Sequence, residues 1–324
     1  MEFPSLDQIK ENYNEILPYI NVTPMLHWIS PLKDRLIGDN TEVFYKCELF
    51  QRTGTFKIRG ALTRMLHLTF EEKQRGVVAG TGGNHGIAVA HVAKQLGIDA
   101  KIIVPETMNP LRLEKIKNLG ADIKKMPTIG MVIDEMNVIA KSEGRVIIHP
   151  FEHPKITLGT ASLGYEFLQQ VPNLDVILVP VGGGGLVSGI SCAAKQINPD
   201  IKVFGIEPEG ANAMFLSFKQ NRAVALTGKP LSIADSLCAP SAEPYSYGIC
   251  RQFVDEIILV SDQQIRQSMK ILFEHVKVAC EPACATAMAA LLGPLKERCN
   301  GKRTGLILCG SNIDLSTFYD IVTG

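Results

Sequence analysis

The chain has 324 residues, of which 46% are hydrophobic, and its 33 basic and 33 acidic side chains give a formal charge of zero. This length exceeds what one small core needs and leaves room for two domains. The balanced charge, without any run of five basic residues, argues against a nucleic-acid partner, because surfaces that bind polyanions cluster Lys and Arg.

The N-terminal segment, MEFPSLDQIKENY, is polar and shows no signal-peptide pattern. Eight cysteines are present, most of them in apolar surroundings and none in a CxxC motif. We therefore expect buried free thiols and a cytoplasmic location. The uncharged run 176–194 contains Pro180 and four consecutive glycines, so we expect a strand, a loop and a helix there and no membrane span.

Short apolar runs rich in Val and Ile predict buried strands along the chain. They are VFYKCEL (43–49), GVVAGT (76–81), AKIIVP (100–105), RVIIHP (145–150), VILVPV (176–181), KVFGIEP (202–208) and TGLILCG (304–310). Segments with helical spacing lie between most of them, such as HGIAVAHVAKQLG (85–97). This alternation favours an α/β fold with largely parallel strands.

The strand–helix alternation is densest between residues 76 and 150. We therefore predict a small domain from 76–150 and a large domain formed by 1–75 together with 151–324. No repeat, low-complexity segment or linker interrupts this arrangement.

Glycine-rich loops follow three of the predicted strands: GTGGNHG (80–86), GGGGL (182–186) and CGSN (309–312). In open α/β sheets, ligands bind beyond the carboxyl ends of the strands. The backbone N–H groups of GGGGL can converge on an anion at a helix start, most simply a phosphate. A P-loop would need a following Lys, and GxGxxG would need a third glycine where Val187 or Ser188 stands. Tight strand–helix packing is the structural alternative.

Lys57 lies in TGTFKIRGAL (53–62), between Phe56 and Ile58 and near two glycines. An apolar setting lowers the pKa of an amine by desolvation, and a neutral lysine can form a Schiff base with a carbonyl cofactor. Together with a phosphate-binding loop, Lys57 points to pyridoxal phosphate. On its own, such a lysine is better explained by a structural role, and Asn84 is equally compatible with a helix N-cap.

The segment ELFQRTGTFKIRGA (48–61), followed in order by TGGNHG, GGGGL and CGSN, resembles fold-type II pyridoxal-phosphate enzymes. More narrowly, it resembles their serine/threonine dehydratase branch, which includes serine racemases. The resemblance spans about 16–319. It implies a two-domain fold like that of the tryptophan synthase beta chain, each domain a mainly parallel sheet flanked by helices, and a homodimer.

The resemblance also implies how the cofactor is held. Lys57 matches the Schiff-base lysine, Phe56 the residue against the cofactor ring, and Asn84 the donor to the ring's phenolic oxygen. Cys309 matches the residue facing the pyridine nitrogen, where a thiol is a weak donor that suits elimination better than transamination. The phosphate loop matches five consecutive residues: Gly182, Gly183, Gly184, Gly185 and Leu186.

Substrate and metal sites follow from the same resemblance. The substrate carboxylate is expected on the backbone amides of Thr81, Gly82, Gly83, Asn84 and His85. A cation site in relatives matches Glu207 and the Ala211 carbonyl. Its third, acidic ligand in racemases falls on Ala213, which argues against a divalent ion and leaves a monovalent ion or none.

The implied activity is that of an L-threonine/L-serine dehydratase, which releases water and ammonia and forms 2-oxobutyrate or pyruvate. A 3-hydroxyaspartate dehydratase stays open. A serine racemase is an alternative, although racemases have a serine where this chain has Gly82. β-Replacement synthases have Asp and Arg after the lysine, whereas Ile58 precedes Arg59 here. A non-catalytic cofactor-binding protein is the last alternative.

Overall fold

The computed structural model describes residues 2–324, which form two β-sheets surrounded by helices. The strands are β1 (Met25–His27), β2 (Glu42–Cys47), β3 (Val77–Gly80), β4 (Ala100–Pro105), β5 (Asp122–Met126), β6 (Val146–Ile147), β7 (Val176–Pro180), β8 (Lys202–Pro208), β9 (Glu256–Val260) and β10 (Arg303–Leu308). One sheet has the order β1-β2-β10-β7-β8-β9 and the other β5-β4-β3-β6.

The helices cover both sheets. They are α1 (Leu6–Ile16), α2 (Pro31–Ile37), α3 (Lys57–Leu66), α4 (Phe70–Arg75), α5 (Asn84–Leu96), α6 (Pro110–Asn118), α7 (Ile129–Glu143), α8 (Pro154–Gln170), α9 (Gly185–Ile197), α10 (Ala213–Gln220), α11 (Pro244–Phe253), α12 (Asp262–Ile271), α13 (Pro282–Leu292), α14 (Lys296–Cys299) and α15 (Leu315–Thr323). No helix within residues 2–324 combines the length and apolar character needed to cross a membrane.

The predicted α/β class with largely parallel strands is confirmed. Within residues 2–324, each strand pairs in parallel with its neighbours except β1, which is antiparallel to β2. Strand β7 is buried over its whole length. This burial on both faces explains why the strand sequences are continuous apolar runs without alternation.

Three strands lie outside the predicted runs. β1 has three residues, too few for a periodic signal, and β5 is the polar segment DIKKM at the edge of its sheet. An edge strand exposes one side to water and can carry charged residues. β9, EIILV, has the β-branched, apolar composition of a strand, although it is not among the predicted runs.

The smaller sheet comes from residues 77–147, and the larger sheet draws its strands from both sides of that segment. This arrangement agrees with a small domain inserted in a large one. The boundaries at 75/76 and 150/151 stay a prediction.

The carboxyl ends of the parallel strands position the loops of interest. β3 leads into 81–83 and then α5, and β7 leads into 181–184 and then α9. β10 leads into 309–314, and β6 into 148–153. Because each loop leaves its strand at the same edge of its sheet, the polar segments predicted from sequence meet in one region.

Helices α8 and α9 pack closely because Gly189 has no side chain. A Cβ atom there would lie 2.2 Å from Thr160 Oγ1 and 2.5 Å from the backbone nitrogen of Ala161. Since the second contact is with backbone, the helices would have to separate to admit a methyl group.

We expect Gly189→Ala to lower the free energy of unfolding by about 1–3 kcal/mol, because overpacking outweighs the gain in helix propensity. Urea unfolding followed by circular dichroism measures this change. Gly228→Ala is the control, since no atom lies within 4 Å of its added Cβ. Equal stability of the two variants would contradict the packing argument.

Candidate active site

Lys57 is the first residue of α3, and its side chain is half-buried. Nζ donates a hydrogen bond to the carbonyl oxygen of Pro150 at 2.8 Å and lies 5.1 Å from the ring centroid of Phe56. Desolvation lowers the pKa of Lys57 to about 8, against a smaller opposing effect of Cys309. About a tenth of the amine is therefore neutral at pH 7, far more than for a lysine with an ordinary pKa of about 10.4, and the neutral form is the one that acts as a nucleophile or a base.

The GGGGL loop forms an uncapped helix start. Gly184, the N-cap of α9, has a φ of +92° and provides no side-chain cap. Within residues 2–324, the N–H groups of residues 182–186 have no backbone acceptor outside α9. A Cβ at Gly183 or Gly185 would come within 2.3 Å or 2.6 Å of Phe151. Only glycine fits here, and the free amides suit an anion such as a phosphate.

The 81–85 loop is the second glycine loop of the site. Thr81 Oγ1 accepts a hydrogen bond from the Gly83 N–H at 2.9 Å, and α5 begins directly afterwards at Asn84. No atom lies within 4 Å of a Cβ built on Gly82, so this position faces open space. The N–H groups of Thr81 and Gly83 are both occupied, since that of Thr81 donates to the Ile103 carbonyl at 3.0 Å. Within residues 2–324, the N–H groups of residues 82, 84 and 85 have no acceptor, and at a helix start they suit a carboxylate.

Asn84 begins α5, whereas Gly83 occupies the N-cap position, so the Asn84 side chain does not cap the helix. Its Nδ2 donates to both carboxylate oxygens of Glu281, at 3.0 and 2.8 Å, and its Oδ1 accepts from Asn312 Nδ2 at 2.8 Å. These contacts fix which end of the amide is the donor. Glu281, the first residue of the segment EPACATA (281–287), therefore positions Asn84, a role that this local sequence does not indicate.

Arg112 of α6 connects the small-sheet region to the rest of the site. Its guanidinium donates to Asp235 at 2.6 Å and to Glu281 at 3.1 Å, and its Nε donates to the Asn312 carbonyl at 2.9 Å. It also packs against Gly83, where a Cβ would lie 2.8 Å from its Cδ. Sequence reasoning missed Arg112 because its partners are more than a hundred residues away along the chain.

Cys309 is buried beside the start of α3, where its carbonyl oxygen accepts a hydrogen bond from the Phe56 N–H at 3.1 Å. Its sulfur lies 3.6 Å from that of Cys284, which accepts from the Gly310 N–H at 3.1 Å. The structure thus brings Cys309, Phe56 and Lys57 together. Among residues 2–324, every cysteine is a free thiol.

His85 is buried, and its Nε2 lies 2.7 Å from the carbonyl oxygen of Ile148. Desolvation and the nearby Lys57 lower the pKa of His85 to about 3, so the ring is neutral and Nε2–H donates to that carbonyl. The side chain is therefore engaged in holding the 148–151 loop. Contact of His85 with a substrate would be made by its backbone amide.

Glu207 is buried, and its two carboxylate oxygens accept hydrogen bonds from the N–H groups of Met214 and Phe215 at 3.0 and 2.8 Å. Desolvation raises the pKa of Glu207 to about 8, and the two donors only partly oppose this effect. Ala211, whose carbonyl is the other predicted ligand, is also buried and follows Glu207 closely along the chain. Within residues 2–324, no group of three or more His, Cys, Asp or Glu could hold a metal ion.

Comparisons with known proteins agree with one another. The model of the family described as "Pyridoxal-phosphate dependent enzyme" matches residues 16–310. The chain is 45% identical to the phenylserine dehydratase of Ralstonia pickettii, over 86% of this chain and 85% of that protein. It is 34% identical to the L-threonine ammonia-lyase of Thermotoga maritima, over 98% of this chain and 78% of that protein. Among solved structures, maize serine racemase matches with a TM-score of 0.92 and 34% identity, over 98% and 97% of the chains.

The amine of Lys57 should react with acetic anhydride at a lower pH than the exposed lysines of the apoprotein, such as Lys94. Acylation needs the neutral amine, whose fraction rises with pH through the pKa of about 8. Ordinary lysines have a pKa of about 10.4. Peptide mass spectrometry after brief labelling at pH 6–11 gives the acylated fraction of each lysine as a function of pH. A Lys57 midpoint above pH 10 would contradict the desolvated site.

Proposed function

The chain belongs to the pyridoxal-phosphate dependent enzymes, and we propose that it is an ammonia-lyase acting on L-threonine and L-serine. The net products would be 2-oxobutyrate or pyruvate and ammonia, because the water lost from Cβ is taken up again when the imine is hydrolysed. The observation that carries the proposal is the Lys57 amine, held mostly desolvated by Pro150 and its apolar surroundings. Lys57 lies beside loops whose free amides suit a phosphate and a carboxylate.

The residues present fit pyridoxal phosphate, the cofactor of this family. The free N–H groups of the 182–186 loop would hold its phosphate, and Lys57 would bond to its aldehyde carbon. One N–H of the Asn84 amide would donate to the ring oxygen while the other keeps a contact with Glu281, and the Cys309 thiol would face the ring nitrogen. When bound, the cofactor withdraws electrons from the bonds at the substrate Cα.

Lys57 supplies the base of the reaction. With one N–H donated to the Pro150 carbonyl, the neutral amine keeps its lone pair available to take the Cα proton. The amides of the 81–85 loop would orient the substrate through its carboxylate. The neutral His85 behind that loop adds no positive charge that would lower the basicity of Lys57 further.

Elimination is favoured over racemisation because of Gly82. Racemisation needs a proton donor on the face of Cα opposite the base, and Gly82 has no side chain to provide one. A β-carboxylate, as in 3-hydroxyaspartate, would need a free cation. Arg112, which packs against Gly83, is already paired with Asp235 and Glu281.

Three expectations from the sequence stay predictions. They are the homodimer, the cytoplasmic location and a cation at Glu207 with the Ala211 carbonyl. The buried carboxylate of Glu207 has no cationic side chain among its hydrogen-bond partners. That environment is compatible with a small cation or with a protonated acid.

The wild-type enzyme should form 2-oxobutyrate from L-threonine, and Lys57→Ala should lose at least about 10²–10⁴-fold in turnover because the base is removed. Lys94→Ala, at an exposed position of α5, is the control that should keep full activity. A coupled 2-oxo acid assay measures both. Turnover by Lys57→Ala with added pyridoxal phosphate and no external amine would refute the assignment.

Gly82→Ser should introduce D-serine formation from L-serine, because it adds a hydroxyl where the structure has open space. The wild-type enzyme should form pyruvate with little D-serine. Chiral chromatography and a 2-oxo acid assay follow both products in one reaction, with Gly228→Ser as the control. D-Serine formed by the wild type as fast as pyruvate would favour the racemase alternative.

A further inference from the structure

His149 lies in the loop of residues 148–153, which contacts both Lys57 and the glycine loop of residues 182–185. This loop follows β6, and its Pro150 accepts the hydrogen bond from Lys57 Nζ at 2.8 Å. Two residues after His149, the Phe151 side chain packs on Gly183 and Gly185. The two residues after His149 therefore contact the catalytic amine and the anion-binding loop, and Lys57 is near enough to lower the pKa of the imidazole. Neither the sequence motifs nor the function proposed above assigns His149 a role.

The hydrogen bonds of His149 define its tautomer. Nδ1 lies 2.8 Å from the backbone nitrogen of Glu152 and 3.3 Å from that of Phe151, and both of these N–H groups point to it. Backbone N–H groups only donate, so Nδ1 is unprotonated and the ring hydrogen is on Nε2. The Phe151 ring packs edge-on against the imidazole, with centroids 4.7 Å apart.

The ring of His149 is also neutral. Desolvation, reinforced by Lys57 and His153, lowers the pKa of His149 to about 4. Protonation would place a hydrogen on Nδ1, where two N–H groups already point, which opposes the charged form for a second reason. His149 therefore presents an uncharged N–H donor over the physiological pH range.

This donor is unused within residues 2–324. The hydrogen bonds of the His149 ring are those at Nδ1, whereas the Nε2 of His85 is occupied by the Ile148 carbonyl. The two histidines beside Lys57 thus differ in their hydrogen bonds. His85 donates its Nε2–H to the Ile148 carbonyl, whereas His149 accepts two backbone N–H groups at Nδ1 and its Nε2–H has no acceptor within residues 2–324. A fixed, neutral donor beside the base suits an oxygen on which negative charge develops.

We propose that the Nε2–H of His149 donates a hydrogen bond to the β-hydroxyl oxygen of the substrate as that group leaves. This inference rests on the proposed function and names the residue that contacts the leaving group. Lys57 takes the Cα proton, and the electrons of that bond form the Cα–Cβ double bond. The electrons of the Cβ–O bond depart with the oxygen, which becomes water with the proton from Lys57. His149 keeps its own proton throughout and stabilises the charge on the oxygen.

The choice of leaving group tests this contact. Chloride leaves without needing a hydrogen-bond donor or a proton, so β-chloro-L-alanine should bypass His149. We expect His149→Leu to lower kcat/KM for L-serine about 100-fold, the typical loss for one such donor. Its kcat/KM for β-chloro-L-alanine should stay close to the wild-type value. His149→Gln, which keeps an N–H donor at the end of its side chain, should recover part of the serine activity.

His153→Leu is the matched control. His153 also accepts a backbone hydrogen bond at Nδ1, from Lys155 at 3.0 Å, and burial also lowers its pKa, to about 4. Its side chain caps α8, and its only hydrogen bond with the preceding loop residues among residues 2–324 is the backbone N–H that donates to the Phe151 carbonyl at 3.3 Å, which a leucine keeps. Its ratio of serine to chloroalanine activity should match the wild type. If His149→Leu lowers both activities equally, His149 acts only through Lys57 or the loop, and the proposal is wrong.

Nitrogen NMR of the holoenzyme labelled with ¹⁵N-histidine gives a readout without turnover. We expect the His149 resonances, assigned by their loss in His149→Gln, to show the Nε2–H tautomer from pH 5.5 to 8.5. Protonation of Nδ1 in that range would overturn the proposal even if the Leu variant failed to fold. A wild-type enzyme inactive on both L-serine and L-threonine would instead refute the proposed function, and with it this contact.

Discussion

The buried charge network around Arg59 is the interaction on which the site depends. Arg59 is fully buried in α3, two residues after Lys57, and donates to Glu48 at 2.8 and 2.9 Å and to Glu166 at 3.0 Å. Lys46 of β2 completes the network by contacting Glu166. Burial of four charges has a desolvation cost that only complete pairing offsets, and removal of one partner typically costs about 3–5 kcal/mol. The start of α3 is therefore tied to β2 and α8, and Lys57 with it.

Desolvation determines the charge states of the titratable side chains in the site. Burial favours the uncharged form of each basic group, so Lys57 has a pKa of about 8 and His85 and His149 have pKa values of about 3 and 4. The amides at the starts of α5 and α9 then supply positive potential in fixed orientations, and they do not titrate. Such a site can bind two anionic groups and keep a neutral base between them.

Most of the fold could be predicted from local patterns. Seven apolar runs correspond to strands, because parallel strands buried on both faces are apolar throughout. β5 was not predictable in this way, since an edge strand with Asp122, Lys124 and Lys125 has the composition of a loop. β1 was too short, with three residues, and it forms only because β2 offers a free edge. The order of strands in the larger sheet depends on contacts between distant segments.

Local sequence patterns specify the chemistry of the site: an amine in an apolar segment, glycines at two helix starts, and a thiol after β10. Each of these depends on neighbouring residues, so a local pattern carries it. The partners that these groups contact depend on how distant segments pack in three dimensions. The pairing of Arg112 with Asp235, the orientation of Asn84 by Glu281 and the free Nε2–H of His149 arise where separate segments meet. Hydrogen bonds depend on distances of a few ångströms in space, which the order of residues along the chain does not specify.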